Sequence, residues 1–320
     1  MSRQEVLVIG PVLPYVVERL KERFDVTELH READRASFLK SEGGRFRAAA
    51  CGGSGIDGAT IAALPNLQII GSFGVGYDNV DVAAAAEAGV VVTNTPGVLD
   101  EEVADTGLAL MLMTVRELNR AEAYLRAGRW PKEGPYPLTR GSLKDSVLGI
   151  LGLGRIGKAV ARRAEACGME IHYHGRHRQE GVAYRYHADL KDLARASDVL
   201  MVVVPGGDAT RHMVDKAVLE ALGPDGYIVN IGRGTVVDEA ALIEALSNGT
   251  IRGAGLDVFE DEPNVPEALI ALDNTVLLPH VASASVPTRQ AMGQLVVDNI
   301  TAWLEEGQVL TPVPETPVPA

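Results

Sequence analysis

The segment from residue 146 to residue 173 constrains the fold of this chain more than any other part of its sequence. An apolar run, Ser146–Leu151, is followed by the glycine-rich run Gly152–Gly157, by a helical pattern over Lys158–Cys167 and by a second apolar run, Glu170–Tyr173. Glycines at these places let the backbone turn tightly and let a helix pack closely on a strand. The segment therefore predicts a βαβ unit with parallel strands.

Short apolar runs alternate with helical patterns over most of the 320 residues. This alternation is typical of an α/β fold with parallel sheets, and the length suits about two domains of roughly 100–200 residues each. The sequence permits the last predicted helix, Thr288–Glu305, to return to the first unit. We therefore expect one domain from 1–98 plus 288–320 and another from 99–287.

Three further segments carry a structural prediction. Glu101–Leu125 has apolar residues at helical spacing and ends before a glycine, so it predicts one long helix. The proline-rich stretch Trp130–Pro137 predicts a loop. The tail, Thr311–Ala320, is also rich in proline and is expected to be poorly ordered at its end.

Composition and charge argue against several kinds of partner. The formal net charge of -13 disfavours nucleic acid and anionic membranes, which attract clustered Lys and Arg. No apolar stretch reaches the length of about 18–20 residues that a membrane helix needs. The N-terminus leads directly into the strand-like run Val6–Ile9, without the features of a secretory signal. We expect a cytoplasmic protein in which Cys51 and Cys167 are buried free thiols.

The glycine run predicts a dinucleotide site because it lies between a strand and a helix. Gly152 permits the tight turn, Gly154 lets the backbone approach a pyrophosphate, and Gly157 lets the helix pack on the strand. The N–H groups and the positive dipole end of the helix then face the phosphates.

The end of the next strand indicates which dinucleotide. An NAD site usually carries Asp or Glu about 20 residues after the first glycine, where it binds the ribose 2′-hydroxyl. Here the segment from His172 to Arg178 has no carboxylate, whereas Arg176 and Arg178 offer guanidinium groups suited to a 2′-phosphate. We expect NADP(H) to be preferred, with NAD(H) possible.

The histidines near this strand could suggest a metal site, but no cysteine or carboxylate completes a ligand spacing, so no metal is expected. These histidines are His172, His174, His177 and His187.

Three polar residues lie just past predicted strands of the second unit. They are Arg233 in Ile-Gly-Arg-Gly, Glu262 in Phe-Glu-Asp-Glu-Pro, and His280 after Leu-Pro. Ligands of an open parallel sheet bind beyond the carboxyl ends of the strands, so all three side chains can converge on one crevice.

With these residues in place, the chain resembles the D-2-hydroxyacid dehydrogenase family over essentially its whole length. The matching motifs are Phe73–Asp81, the glycine run at Gly152, Gly232-Arg233-Gly234, Asp257–Pro263 and Pro279-His280. Gly175-Arg176 makes it most similar to the NADPH-using glyoxylate/hydroxypyruvate and hydroxyphenylpyruvate reductases. The resemblance implies a Rossmann cofactor domain and a flavodoxin-like substrate domain, each a doubly wound parallel sheet.

The resemblance also implies catalytic roles that suit the chemistry of reducing a 2-keto acid. His280 would donate the proton in reduction and accept it in oxidation, since a histidine titrates near neutral pH. Glu262 would accept a hydrogen bond from the imidazole and orient it. Arg233 would bind the substrate carboxylate and polarise the carbonyl group.

The remaining predicted site residues bind substrate or cofactor. The substrate set adds Val75, Gly76 and Leu99 to Arg233 and His280. The cofactor set is Gly152, Leu153, Gly154, Arg155, Ile156, Gly157, His174, Gly175, Arg176, His177, Arg178, Val204, Pro205, Thr210, Ile231, Gly232, Asp257, Ser283 and Thr106.

Two alternatives remain beside an NADPH-dependent 2-keto acid reductase. One is an NAD-dependent enzyme similar to 3-phosphoglycerate dehydrogenase, and the other is a dinucleotide-sensing binding protein of the same fold. The family uses the long helix after residue 100 and the following loop to form a two-fold dimer, so the resemblance also implies a homodimer.

Overall fold

The computed structural model describes residues 3–316 and residue 318. The chain forms two compact units, one from 1–99 with 285–320 and the other from 100–284. None of the helices in the described residues has both the length and the apolar character needed to span a membrane.

The first unit is built on a five-stranded parallel sheet with the spatial order β2-β1-β3-β4-β5. This is the flavodoxin-like order of a doubly wound sheet. The strands are β1 (Glu5–Val8), β2 (Asp25–Glu28), β3 (Ala48–Cys51), β4 (Ile69–Ser72) and β5 (Val91–Thr93). Because β1, β3 and β4 are buried on both faces, their sequences are apolar runs rather than alternating patterns.

Helices cover both faces of this sheet. They are α1 (Pro14–Lys21), α2 (Arg35–Glu42), α3 (Gly58–Ala62), α4 (Val82–Glu87) and the C-terminal helix, Val286–Glu306. Val296 and Ile300 of the C-terminal helix belong to the same buried cluster as Val6 and Ile69 of the sheet. The C-terminal helix is thus part of the core of the first unit.

Part of the tail adds to the edge of this sheet. The Val313 N–H donates to the Val92 carbonyl at 2.9 Å, and the Val92 N–H donates to Thr316 Oγ1 at 3.0 Å. Pro312 forms an antiparallel bridge with Thr93. Residues 311–316 therefore bind alongside β5, whereas residues 317, 319 and 320, at the end expected to be poorly ordered, lie outside the described residues.

The second unit contains a seven-stranded parallel sheet with the order β12-β11-β10-β9-β6-β7-β8. Its strands are β6 (Val147–Leu151), β7 (Glu170–His174), β8 (Arg185–Tyr186), β9 (Val199–Val202), β10 (Tyr227–Asn230), β11 (Gly253–Leu256) and β12 (Thr275–Leu277). The strand order reverses between β6 and β9, which is the Rossmann switch point where ligands bind.

The helices of the second unit flank this sheet. They are α5 (Asp100–Val115), α6 (Leu118–Arg126), α7 (Trp130–Glu133), α8 (Arg155–Ala166), α9 (Leu190–Arg195), α10 (Lys216–Leu222), α11 (Glu239–Ser247) and α12 (Glu267–Ile270). The strands β6, β9 and β10 are buried except at Val147, so their sequences are apolar runs that indicate strands.

Three local predictions were wrong. The helix predicted over Glu101–Leu125 is two helices, because Glu117 adopts a left-handed conformation with φ of 50° between α5 and α6. The predicted loop after Trp130 begins with the short helix α7, whose first turn accommodates Pro131. Cys51 is a buried free thiol, whereas the free thiol Cys167, at the C-cap of α8, is partly exposed.

Candidate active site

Arg233 follows β10 in a turn that is built by a buried asparagine. The Asn230 side chain donates to the Arg233 carbonyl at 2.9 Å and accepts from the Gly232 N–H at 3.0 Å. A Cβ on Gly234 would lie 1.9 Å from the Phe259 carbonyl, so only glycine fits there. This close packing brings the turn that carries Arg233 against the loop that carries Glu262.

His280 and Glu262 form a hydrogen-bonded pair beyond the carboxyl ends of β11 and β12. The distance between His280 Nδ1 and Glu262 Oε2 is 2.7 Å. The other oxygen of Glu262 accepts the Phe259 N–H at 3.0 Å, which fixes the carboxylate. An ionised carboxylate only accepts, so the imidazole carries a proton on Nδ1 and presents Nε2 as the second functional nitrogen.

Asp257 holds the backbone on both sides of His280. Its carboxylate, which is 1% exposed, accepts the Val281 N–H at 2.8 Å and the Ala282 N–H at 2.9 Å, while its carbonyl accepts the His280 N–H at 2.9 Å. His280 itself has a φ of 53°, in the left-handed region that a histidine rarely adopts. Such a conformation persists where the surrounding structure imposes it, and here the bonds to Asp257 do so.

The pKa values of the two carboxylates, Glu262 and Asp257, are shifted in opposite directions. Burial raises the pKa of Glu262, but the hydrogen bond from His280, the Phe259 N–H and the charge of Arg233 lower it, and the net pKa lies below its ordinary value. Burial raises the pKa of Asp257, and the two backbone N–H groups only partly offset this. Glu262 therefore remains ionised at neutral pH and stabilises positive charge on the imidazole.

The glycine turn fits a dinucleotide diphosphate. Gly152 has a φ of 100°, and a Cβ at Gly157 would lie 2.3 Å from the Gly152 carbonyl, so both positions require glycine. Gly154 is the N-cap of α8, which has no side-chain cap, and a Cβ there would face open space. The first N–H groups of α8 can therefore bind an anion. Since α8 begins at Arg155, three residues before the predicted start, Arg155, Ile156 and Gly157 form its first turn.

The segment after β7 presents the predicted 2′-phosphate residues at the surface. Arg176, His177 and Arg178 are exposed, and His174 at the end of β7 bonds the His187 carbonyl through Nδ1 at 3.0 Å. Two of the histidines near this strand also contact each other, because His187 Nε2 lies 3.1 Å from His172 Nδ1. Within the described residues, no three His, Cys, Asp or Glu side chains form a group that could hold a metal ion.

The other predicted cofactor residues lie at three places in the second unit. Val204 and Pro205 follow β9, and the Thr210 hydroxyl donates to the Pro205 carbonyl at 2.8 Å. Ile231 and Gly232 follow β10, whereas Thr106 on α5 donates to the Ala282 carbonyl at 3.3 Å, next to Ser283. All of them therefore lie in the same unit as Arg233, Glu262 and His280.

The predicted substrate residues of the first unit lie after β4 and β5. The Gly74 carbonyl accepts the Thr95 N–H, and the Val75 carbonyl accepts the Asn94 side chain, each at 2.8 Å. In a trans peptide the N–H points opposite to the carbonyl, so the N–H groups of Val75 and Gly76 point away from residues 94 and 95. Leu99, the last residue of this unit, is buried.

Sequence reasoning missed several residues that shape the site. Asn230 precedes the Gly-Arg-Gly motif, and asparagine at a strand end often makes such a turn, so this signal was available. Asn94 binds the turn after β4 from nineteen residues away, and the two come together only because β4 and β5 pair. Gln179 belongs to no recognisable sequence motif, so its contacts could not be predicted.

Comparisons with known proteins show the family to which the chain belongs. The model of the family "D-isomer specific 2-hydroxyacid dehydrogenase, NAD binding domain" matches residues 108–282. Glyoxylate/hydroxypyruvate reductase A HPR2 of Arabidopsis thaliana is 45% identical over 96% of this chain and 98% of its own, and hydroxyphenylpyruvate reductase of Plectranthus scutellarioides is 43% identical over the same shares.

One solved structure resembles this chain in both fold and sequence. NADPH-dependent glyoxylate/hydroxypyruvate reductase SmGhrB of Sinorhizobium meliloti, in complex with NADP and malonate, superposes with a TM-score of 0.95 and 53% identity, covering 100% of this chain and 99% of that chain. The chain therefore belongs to the D-isomer-specific 2-hydroxyacid dehydrogenase family, whose members are oxidoreductases.

Proposed function

We propose that this protein reduces a small 2-keto acid, such as glyoxylate or hydroxypyruvate, to the D-2-hydroxy acid with NADPH as the electron donor. The observation that carries the proposal is the His280–Glu262 pair, 2.7 Å apart, held at the sheet edge that also carries Arg233. The related glyoxylate/hydroxypyruvate reductases of Arabidopsis thaliana and Sinorhizobium meliloti support this substrate class.

Arg233 binds the substrate in this proposal. A guanidinium donates two parallel hydrogen bonds to a carboxylate, and it also stabilises the negative charge that develops on the carbonyl oxygen during reduction. The N–H groups of Val75 and Gly76 are proposed as further donors to the carboxylate, and Leu99 as a residue that limits the substrate side chain.

His280 supplies the proton. Nδ1–H donates to Glu262, so Nε2–H is the donor that protonates the carbonyl oxygen as the alcohol forms. When the nicotinamide is bound in its reduced form, it supplies the hydride that C2 of the substrate accepts. Electrons and protons then balance, since one hydride and one proton convert the keto group to the hydroxyl group.

The preference for NADPH rests on the segment after β7. Arg176 and Arg178 are exposed beyond the end of β7, and the segment from His172 to Arg178 contains no carboxylate that would repel a 2′-phosphate. The NADP bound by the related Sinorhizobium enzyme supports the same preference. We also propose that the protein acts as a homodimer in the cytoplasm, where Cys51 and Cys167 stay reduced.

A panel of 2-keto acids assayed with NADPH and NADH side by side tests the proposal. We expect oxidation of NADPH with glyoxylate or hydroxypyruvate and a higher kcat/KM with NADPH than with NADH. A preference for NADH would favour the phosphoglycerate dehydrogenase-like alternative. Binding of NADPH without turnover of glyoxylate, hydroxypyruvate or phenylpyruvate would favour a dinucleotide-sensing protein.

A further inference from the structure

The arginine segment, residues 175–179, follows β7 and carries both proposed phosphate-binding guanidinium groups. Arg176 and Arg178 are exposed, and an exposed loop loses conformational entropy when it binds a ligand. Any contact that holds the loop in its bound conformation beforehand therefore raises affinity for the 2′-phosphate.

Three hydrogen bonds hold this segment. The Gln179 side chain donates from Nε2 to the Leu153 carbonyl at 2.7 Å, and the Gln179 N–H donates to the Tyr173 hydroxyl at 2.8 Å. At the other end of the segment, the Tyr186 hydroxyl donates to the Gly175 carbonyl at 3.2 Å. Tyr173 is 1% exposed within β7, so it is a rigid anchor.

The bond to Leu153 differs from the other two because it reaches the glycine turn. Leu153 lies between Gly152 and Gly154, where the backbone has little intrinsic rigidity. The same turn is bound once more to the end of β7, since the Gly152 N–H donates to the His174 carbonyl at 3.0 Å. Gln179 thus connects the proposed diphosphate site directly to the proposed 2′-phosphate site.

We propose that Gln179 is a positioning residue that determines specificity for NADP(H) over NAD(H), an inference that rests on the proposed function. The diphosphate and the 2′-phosphate belong to one ligand, with a span set by the ribose between them. Gln179 fixes the corresponding span in the protein, so the arginine side chains start from a backbone that already matches the ligand. NAD(H) lacks the 2′-phosphate and gains little from this arrangement.

Gln179→Met tests the proposal, because methionine keeps the length and removes the amide donor. Binding of adenosine 2′,5′-bisphosphate and of AMP is measured by titration calorimetry. One hydrogen bond predicts that affinity for the bisphosphate falls about three- to tenfold, while affinity for AMP changes less than about twofold. In turnover assays the KM for NADPH rises while kcat at saturating NADPH is unchanged.

Two variants serve as references. Tyr184→Phe removes a hydroxyl that bonds Glu165 on α8, in the same stretch of chain but away from the arginine segment, and it leaves both affinities unchanged. Arg176→Ala removes one proposed phosphate ligand and lowers affinity for the bisphosphate far more than for AMP.

The outcomes separate the inference from the proposed function. If Arg176→Ala abolishes the preference for the bisphosphate and Gln179→Met leaves it intact, the inference is overturned and the NADPH assignment stands. An equal loss of AMP and bisphosphate affinity in Gln179→Met also overturns it. If Arg176→Ala does not change the preference, the NADPH assignment and the inference both fail.

Discussion

At the scale of single residues, the chemistry of the site depends on backbone conformation, which cannot be inferred from the identity of the side chains. The left-handed backbone of His280 orients its side chain. Asp257 holds this backbone by accepting hydrogen bonds from the N–H groups of Val281 and Ala282. A histidine after Leu-Pro predicts a candidate acid, but its φ of 53° and its partner Glu262, eighteen residues earlier, come from the folded chain.

Replacing His280 removes the proposed proton donor. His280→Ala is expected to lower kcat by about 10²–10⁴-fold, the usual contribution of general acid–base catalysis, while the affinity for NADPH is kept. Steady-state kinetics and fluorescence titration of NADPH measure the two effects. His30→Ala, in the other unit, is the matched control. If kcat stays within about twofold of the wild-type value instead of falling by about 10²–10⁴-fold, His280 is not the proton donor.

The ionisation of Glu262 predicts a pH dependence of stability. Its pKa is lowered from the ordinary value of 4.5, so the folded state favours the carboxylate over the acid. The wild type should therefore be more stable than Glu262→Gln at neutral pH, and the difference should vanish as the pH falls below 4.5 through the lowered pKa.

Urea unfolding of both proteins at several pH values measures this difference. Glu220→Gln, an exposed glutamate on α10, controls for loss of charge alone. A difference that grows as the pH is lowered would contradict the lowered pKa of Glu262.

At the scale of elements, the site is assembled by loops that pack on each other at the carboxyl ends of adjacent strands. The turn after β10 and the loop after β11 meet at Gly234 and Phe259, because β10 and β11 pair in parallel register. In the first unit, residues 311–316 extend the sheet beside β5, and the Tyr77 hydroxyl bonds the Glu315 carboxylate at 3.1 Å. Periodicity cannot predict such contacts, since it reports one element at a time.

Gly234→Ala tests the contact between the two loops. The added Cβ would meet the Phe259 backbone at 1.9 Å, so the loops must separate. We expect a loss of about 1–3 kcal/mol in the free energy of unfolding, as is usual for overpacking, together with a fall in kcat/KM because Arg233 moves. Denaturant unfolding and kinetics measure the two effects.

Gly53→Ala provides the comparison, because a Cβ there has no atom within 4 Å and φ is not in the left-handed region. Equal stability of the two variants would show that the loops can adjust without cost, contrary to the close packing described above.

At the scale of the whole molecule, the proposed homodimer concerns the second unit. Large apolar side chains are exposed in and after α6, with Leu125 at 55%, Trp130 at 58% and Leu138 at 98% exposure. Exposed apolar groups of this kind often mark an interface between subunits. Light scattering after size exclusion is expected to give twice the mass of one chain.

Substitutions at two exposed leucines test whether the surface that carries Leu138 is the dimer interface. Leu138→Asp is expected to shift the protein toward the monomer, whereas Leu310→Asp, an exposed leucine in the first unit, leaves the mass unchanged. A wild-type protein that elutes as a monomer at micromolar concentration would refute the homodimer.

The sequence by itself determined the α/β class, the glycine turn and the identity of Arg233, Glu262 and His280 as candidates. It could do so because buried parallel strands are apolar runs and because strand ends collect functional side chains. The break at Glu117, the exposure of Cys167 and the contacts of Gln179 were decided only by the tertiary structure. The bond from Gln179 to Leu153, for example, joins residues that are 26 apart in the chain and come close only in the folded structure, and no local pattern encodes that distance.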